Sequence, residues 1–281
     1  MTKKAWIIFA AMCVGLIGGL IFLQQRNQID VSSVDTTKAQ PASSESGDIS
    51  EHVYGNANSK VLLVEYADFQ CPGCNSSYPV TKKVIEKYKD KIGFIFRNYP
   101  LTSAHPNALA AAAAAESAGL QGKYWEMHNS LFENRASWVE LSGSTRTENF
   151  VKLASDIKGL NVEKFKADLE NPNIRKKIDY DMALGKKDSV GGTPAMYING
   201  KDVGSQKVLN GKLVSGTNTD TNASYVWANA DDFEKFVIQP AMKSAGISYS
   251  ERTVTGRGSS LTSPPDRAMS YALRPSTKTA E

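Results

Sequence analysis

Cys71 and Cys74 stand as Cys-Pro-Gly-Cys in a chain of 281 residues whose third cysteine is Cys13. Two thiols at that spacing suit thiol–disulfide exchange: one sulfur attacks or is attacked, and the other resolves the mixed disulfide. Read as a staple, the pair closes a loop too short to constrain the unfolded chain much. Read as half of a zinc site, it needs two more ligands. The histidines, His52, His105 and His128, are not at ligand-like spacing, and the sequence has no second Cys-x-x-Cys. No metal and no other cofactor is therefore expected. With so few cysteines, the core must hold itself together without covalent help.

Such chemistry needs one sulfur kept as thiolate, and the residues around the pair indicate how. The run Lys60-Val-Leu-Leu-Val-Glu-Tyr-Ala-Asp-Phe69 is nearly all apolar, as a central strand buried on both faces should be. Gln70, Cys71, Pro72, Gly73 and Cys74 follow directly. Then helical spacing takes over, with Tyr78, Val80, Val84, Ile85 and Tyr88 on one side and lysines and Glu86 on the other. Pro72 suits the first helical position, where its missing N–H is no loss. Cys71 is then the N-cap, and unpaired N–H groups and the positive end of the helix dipole converge on its sulfur. Thiols in such settings titrate at about 3.5–7.5. Cys74, one turn inside, is expected to be more buried and less acidic.

Beyond this unit the pattern predicts strands at 61–69 and 92–98 flanking a helix over 72–90, a right-handed parallel crossover. An alanine-rich helix over 106–118 follows, then helices near 121–134, 147–157, 161–170 and 172–187. A strand at 195–199, another near 207–215 and a last helix at 231–245 complete the reading. The polar stretch Thr217 to Ser224 reads as an extended loop.

The N-terminus points to a compartment. Ala5 to Leu23 carries no charge, and its 19 residues at ~1.5 Å each nearly cross a ~30 Å hydrocarbon core. Lys3 and Lys4 precede it, so the positive-inside rule leaves residues 1–4 cytoplasmic and the rest outside. A cleaved signal peptide is the rival, but no A-x-A-like site follows the apolar run. The expectation is a single-pass cell-membrane anchor over 5–23, with Gly15 and Gly19 as a helix-pairing motif. Residues 24–50 and 250–281 are polar and Pro/Gly-bearing and read as a flexible linker and a disordered tail. The folded domain is expected over 51–249. A net charge of +4 with scattered Lys and Arg gives no sign of a nucleic-acid partner.

Four segments, in order, resemble the DsbA-like branch of the thioredoxin superfamily: Val64 to Cys74; Phe94-Ile-Phe-Arg-Asn-Tyr-Pro-Leu101; Ala104-His-Pro-Asn-Ala108 through Gly122 to Asn129 and Leu131-Phe132; and Gly192-Thr-Pro-Ala-Met-Tyr-Ile-Asn-Gly200. The resemblance implies an α/β thioredoxin-like fold with a helical insertion over about 103–188. It makes Thr193 and Pro194 the cis-proline dipeptide facing the cysteines, with the Thr193 backbone free to pair with a substrate strand. It makes Glu65 a buried acid beneath the cysteines, able to relay a proton to or from Cys74, and Pro79 a helix-kink proline. His105, His128, Trp125 and Phe132 are expected to cap or pack. The implied activity is oxidation of cysteine pairs in exported proteins by the Cys71–Cys74 disulfide, with a membrane redox partner restoring that disulfide. Gly73 adds no donor or charge beside Cys71, which keeps a reductase or isomerase open as the alternative. A non-catalytic peptide-binding or chaperone module is the other.

Overall fold

The computed structural model describes residues 29–249, together with Trp6, Phe9, 12–16 and 18–19, all helical, near the N-terminus. The expected anchor over 5–23 lies mostly outside the described residues, among which no helix is long and apolar enough to cross a membrane. The expected tail over 250–281 lies outside them entirely.

Five strands form the central sheet in the order β1-β3-β2-β4-β5. Strands β2 (Leu62–Ala67) and β3 (Gly93–Asn98) are buried along their whole length, as near-continuous apolar runs require. They pair in parallel, joined by helix α1 (Pro72–Tyr88). β4 (Ala195–Ile198) runs antiparallel to β2 with Met196 opposite Glu65, and β5 (Lys201–Asp202) follows it. β1 (Val53–Gly55) pairs antiparallel with β3. At three residues it is too short to show a period in the sequence.

Five helices are inserted between β3 and β4: α2 (Ala108–Gly119), α3 (Tyr124–Glu133), α4 (Gly143–Ser155), α5 (Val162–Asp168) and α6 (Pro172–Lys187). The alanines of α2 have a steric reason. Ala111, Ala114, Ala115 and Ala118 pack into the main core, whereas Ala112 joins Ile174 and Ile178 of α6. A helix pressed on more than one side is apolar most of the way round, and small side chains let its neighbours approach.

Two sequence expectations are corrected. The single strand near 207–215 is a hairpin, β6 (Lys207–Leu209) and β7 (Lys212–Val214), which β8 (Ser224–Tyr225) extends in the order β7-β6-β8. Asn210 and Gly211 both have positive φ, at 51° and 71°, the Asn-Gly turn that reverses a strand in two residues. The last helical stretch begins at Ala230–Phe233 (α7), passes through a π-helical turn over Glu234–Ile238 and ends at Gln239–Ser244 (α8).

The second correction concerns the linker expected over 24–50. From residue 29 the chain is a strap laid on the domain. Val31 is buried with Tyr66, Tyr180 and Leu184. Lys187 Nζ donates to the carbonyls of Val31, Ser32 and Val34 at 3.0, 2.8 and 2.5 Å. Arg97, fully buried in β3, donates to Thr36 O at 3.0 Å and Lys38 O at 3.1 Å, to Tyr66 Oη at 2.7 Å and to Glu51 at 2.5 Å. The docking groups of the strap are backbone carbonyls, which every residue has, so composition carries no sign of them.

Truncating Glu51 leaves the Arg97 guanidinium buried without its carboxylate, a loss of about 3–5 kcal/mol. Glu51→Ala is expected to lower the urea midpoint accordingly and to expose 29–50 to limited proteolysis.

Candidate active site

The turn between β2 and α1 is held by buried polar groups. Asp68 Oδ1 accepts the Gln70 N–H at 2.7 Å, and Oδ2 accepts the Leu101 N–H at 2.9 Å and pairs with His105 Nδ1 at 2.8 Å. Gln70 Oε1 accepts the Asn107 N–H at 2.6 Å, its Nε2 donates to Val139 O at 3.1 Å, and its carbonyl accepts from Arg135. The insertion thus grips the residues that present Cys71. Sequence reasoning quoted Asp68 and Gln70 without giving them this duty. The available signal was two polar residues ending an apolar strand that is buried on both faces.

Cys71 is the N-cap of α1, with extended backbone (φ −63°, ψ 127°), and Pro72 takes the first turn. The residue is 7% exposed, and its sulfur lies 3.4 Å from the Thr193 carbonyl. The Cys71 pKa falls to about 5. The Cys74 thiol donating to Cys71 is the largest cause; burial opposes it, and the N–H groups of Cys74 and Gly73 add to the lowering. Cys74 is fully buried. Its pKa is pushed well above the ordinary thiol range, by burial first, then by the hydrogen bond it gives to Cys71 and by the Glu65 charge. The Asp68 N–H, 3.4 Å from Cys74 Sγ, offsets part of this.

Glu65 is buried at the centre of β2, and burial pushes its carboxyl up to about 8. The Ser77 hydroxyl opposes this in part where it donates to Glu65 Oε1 at 3.2 Å, and it also lies 3.0 Å from Cys74 O. Its single proton favours one of these acceptors at a time, and a protonated Glu65 can donate to Ser77 Oγ in turn.

The Thr193–Pro194 peptide bond is cis. A Cβ at Gly73 would sit 3.1 Å from Pro194 Cδ and 3.4 Å from Thr193 O, so a side chain here would press the loop back by a few tenths of an ångström. A groove of about 640 Å³ runs alongside, lined by Gly73, residues 189–195, Tyr225 and Trp227. The last two rings stack at 4.9 Å and 8°. Cys71, Pro72, Gly73, Cys74, Glu65, Thr193 and Pro194, singled out separately in the sequence, therefore meet at one place. His128 packs against Phe69, Phe96 and Phe132, and burial lowers its pKa to about 4.

A family model described as "Thioredoxin" matches residues 48–211, and the chain belongs to that family. Solved structures share its fold. BdbD from Bacillus subtilis matches with TM-score 0.54 and 20% identity over 73% of this chain and 98% of its own. The α-DsbA1 of Wolbachia pipientis matches with TM-score 0.52 and 24% identity over 69% and 92%. The fold is thus that of DsbA-type proteins, as the four sequence segments implied. Among curated relatives, the Na(+)/H(+) antiporters NhaA 3 of Salinispora tropica and NhaA 1 of Salinispora arenicola are 32% and 33% identical over 151 residues. That is 54% of this chain and 22% of each antiporter. The chain thus spans under a quarter of their length.

Two titrations follow. Absorbance of the Cys71 thiolate should show a midpoint near 5, moving upward in Cys74→Ala, which removes the donating thiol. Glu65 titrates near 8 when folded but near 4.5 when unfolded. Between those values the native state holds a proton that the unfolded state has lost, so this group lowers stability as pH rises from about 4.5 to 8. Glu65→Gln should therefore gain stability over the wild type across that window and gain none below pH 4.

Proposed function

We propose that this protein exchanges disulfides with polypeptides outside the cytoplasm, most often as the oxidant. The observation that carries the reading is the split acidity of the two sulfurs, Cys71 low and Cys74 high, beside an open groove. A substrate thiolate attacks Cys71 Sγ of the Cys71–Cys74 disulfide. The bond to Cys74 breaks, Cys74 leaves with the electron pair, and Glu65 supplies its proton. A second substrate thiolate then attacks the substrate sulfur of the mixed disulfide, and Cys71 leaves as the thiolate it is built to be. The substrate loses two electrons and the protein gains them. Stabilising the Cys71 thiolate favours the reduced pair, which makes the disulfide a stronger oxidant.

The substrate segment lies along the Thr193–Pro194 loop in extended form, with Tyr225, 44% exposed, offering a ring for an apolar side chain. Exported proteins with paired cysteines are the substrate class. A membrane redox partner takes the two electrons back, and the uncharged run 5–23 anchors the domain in the cell membrane.

Replacing Cys71 by Ser should abolish exchange, and Cys74→Ala should accumulate mixed disulfides with exported proteins. Equilibration with glutathione is expected to place the couple above thioredoxin's roughly −270 mV, toward the roughly −120 mV of a strong oxidant. A value at or below thioredoxin's would reverse the direction to reduction. Unimpaired activity in Cys71→Ser would leave only a peptide-binding module.

A further inference from the structure

A groove can align a polypeptide only if the loop along its edge is held in place. Residues 191–193 have little packed against them: a Cβ built on Gly191 or Gly192 would meet nothing within 4 Å. The chain leaves α6 through a tight reversal, in which the Ser189 N–H donates to Lys186 O at 3.1 Å and the Val190 N–H to Gly185 O at 2.9 Å. Ser189 takes a positive φ of 60° there, a conformation that suits glycine and that a β-carbon resists. A strained exit and an unpacked tip need a brace from elsewhere in the molecule.

That brace is a set of hydroxyl groups around Asp188. As the C-cap of α6, Asp188 does nothing for its own helix, because the C-terminal end of a helix disfavours negative charge. Its carboxylate accepts the Tyr66 hydroxyl from β2 at 2.6 Å and the Thr36 hydroxyl from the strap at 2.7 Å, and Arg97 Nη1 stands 4.0 Å away. The Asp188 carbonyl accepts the Tyr197 hydroxyl at 2.9 Å, and Val190 O accepts that of Tyr99 at 3.1 Å. The tyrosines come from the sheet or its border. Of these hydroxyls, Thr36 alone arrives on the strap, which Arg97 also grips through Thr36 O.

We infer that the strap positions the substrate loop: Thr36, through Asp188, fixes residues 188–190 and so sets where the Thr193 backbone can pair with an extended polypeptide. The inference rests on the exchange reading and adds to it a dependence on a segment remote in sequence from both cysteines. Thr36 and Asp188 are positioning residues, acting through the loop. A reagent with no peptide backbone has nothing to pair with Thr193, so its reaction does not depend on them.

Single-turnover reduction of the Cys71–Cys74 disulfide by two dithiols tests this. One is a short extended peptide carrying two cysteines, and the other is dithiothreitol. Both react through the same bonds. A thiolate attacks Cys71 Sγ, and Cys74 leaves and takes up a proton. The second thiolate of the reagent then displaces Cys71, so the dithiol loses two electrons to the protein. Thr36→Val keeps the side-chain shape and the carbonyl that Arg97 holds, and removes the link to Asp188. It should lower the second-order rate constant with the peptide about tenfold, equivalent to about 1.4 kcal/mol, and leave that with dithiothreitol unchanged. Thr36→Ser should restore the peptide rate. Asp188→Ala should act as Thr36→Val does, and amide hydrogen exchange at Gly191, Gly192 and Thr193 should quicken in both. A peptide rate as fast as wild type in Thr36→Val, or equal slowing with both dithiols, overturns the inference. If Cys71→Ser still oxidises the peptide, the exchange reading itself fails; if Cys71→Ser is inert while Thr36→Val reacts as wild type does, only the positioning role does.

Discussion

One proton and two sulfurs, a single helical turn apart, set the terms for the whole molecule. Cys71 sits where backbone N–H groups point outward and a neighbouring thiol donates to it, so its negative charge is welcomed. Cys74 sits where the Asp68 N–H offsets only part of burial. Neither arrangement is stable without the other, because the thiol that stabilises Cys71 is the one that burial keeps protonated. Asymmetry of this kind needs a rigid frame. The parallel pair β2 and β3, buried on both faces, brings Glu65 under the helix start at a fixed depth.

The helical insertion belongs to that frame. His105, Asn107, Arg135 and Val139 reach the three residues before Cys71 through Asp68 and Gln70. Without these partners the turn would expose several unmatched donors and acceptors. The insertion is therefore as much a clamp on the reactive turn as it is a cover for the sheet. The small β6–β8 sheet serves the opposite side, where Tyr225 and Trp227 wall the groove past Pro194.

Much of this is legible in the residue order, because its signals are local. An apolar run, a Cys-Pro-Gly-Cys and a helical period fall within thirty residues, and together they place Cys71 at the N-cap before any tertiary contact is known. Glu65 and the Thr193–Pro194 pair were legible only through resemblance, since nothing in their neighbours announces that they meet the cysteines. β1 was too short to carry a period, and the β6–β7 reversal hid in a single Asn-Gly. The duty of Asp68 left only a faint signal, a polar residue at the end of a buried apolar strand. Its partners, Leu101 and His105, stand 33 and 37 residues away. Sequence reading finds what a segment does for itself and misses what it does for another.

The strap over residues 29–50 changes how far the catalytic face can roam. A free coil of 27 residues would let the domain wander about 30 Å from its point of attachment. Because Arg97 and Lys187 bind the chain from Val31 onward, only residues 24–30 remain between the docked segment and the end of the proposed anchor. Seven residues span at most about 25 Å. With the anchor proposed above, that shortening would hold the domain closer to the lipid than its residue count suggests.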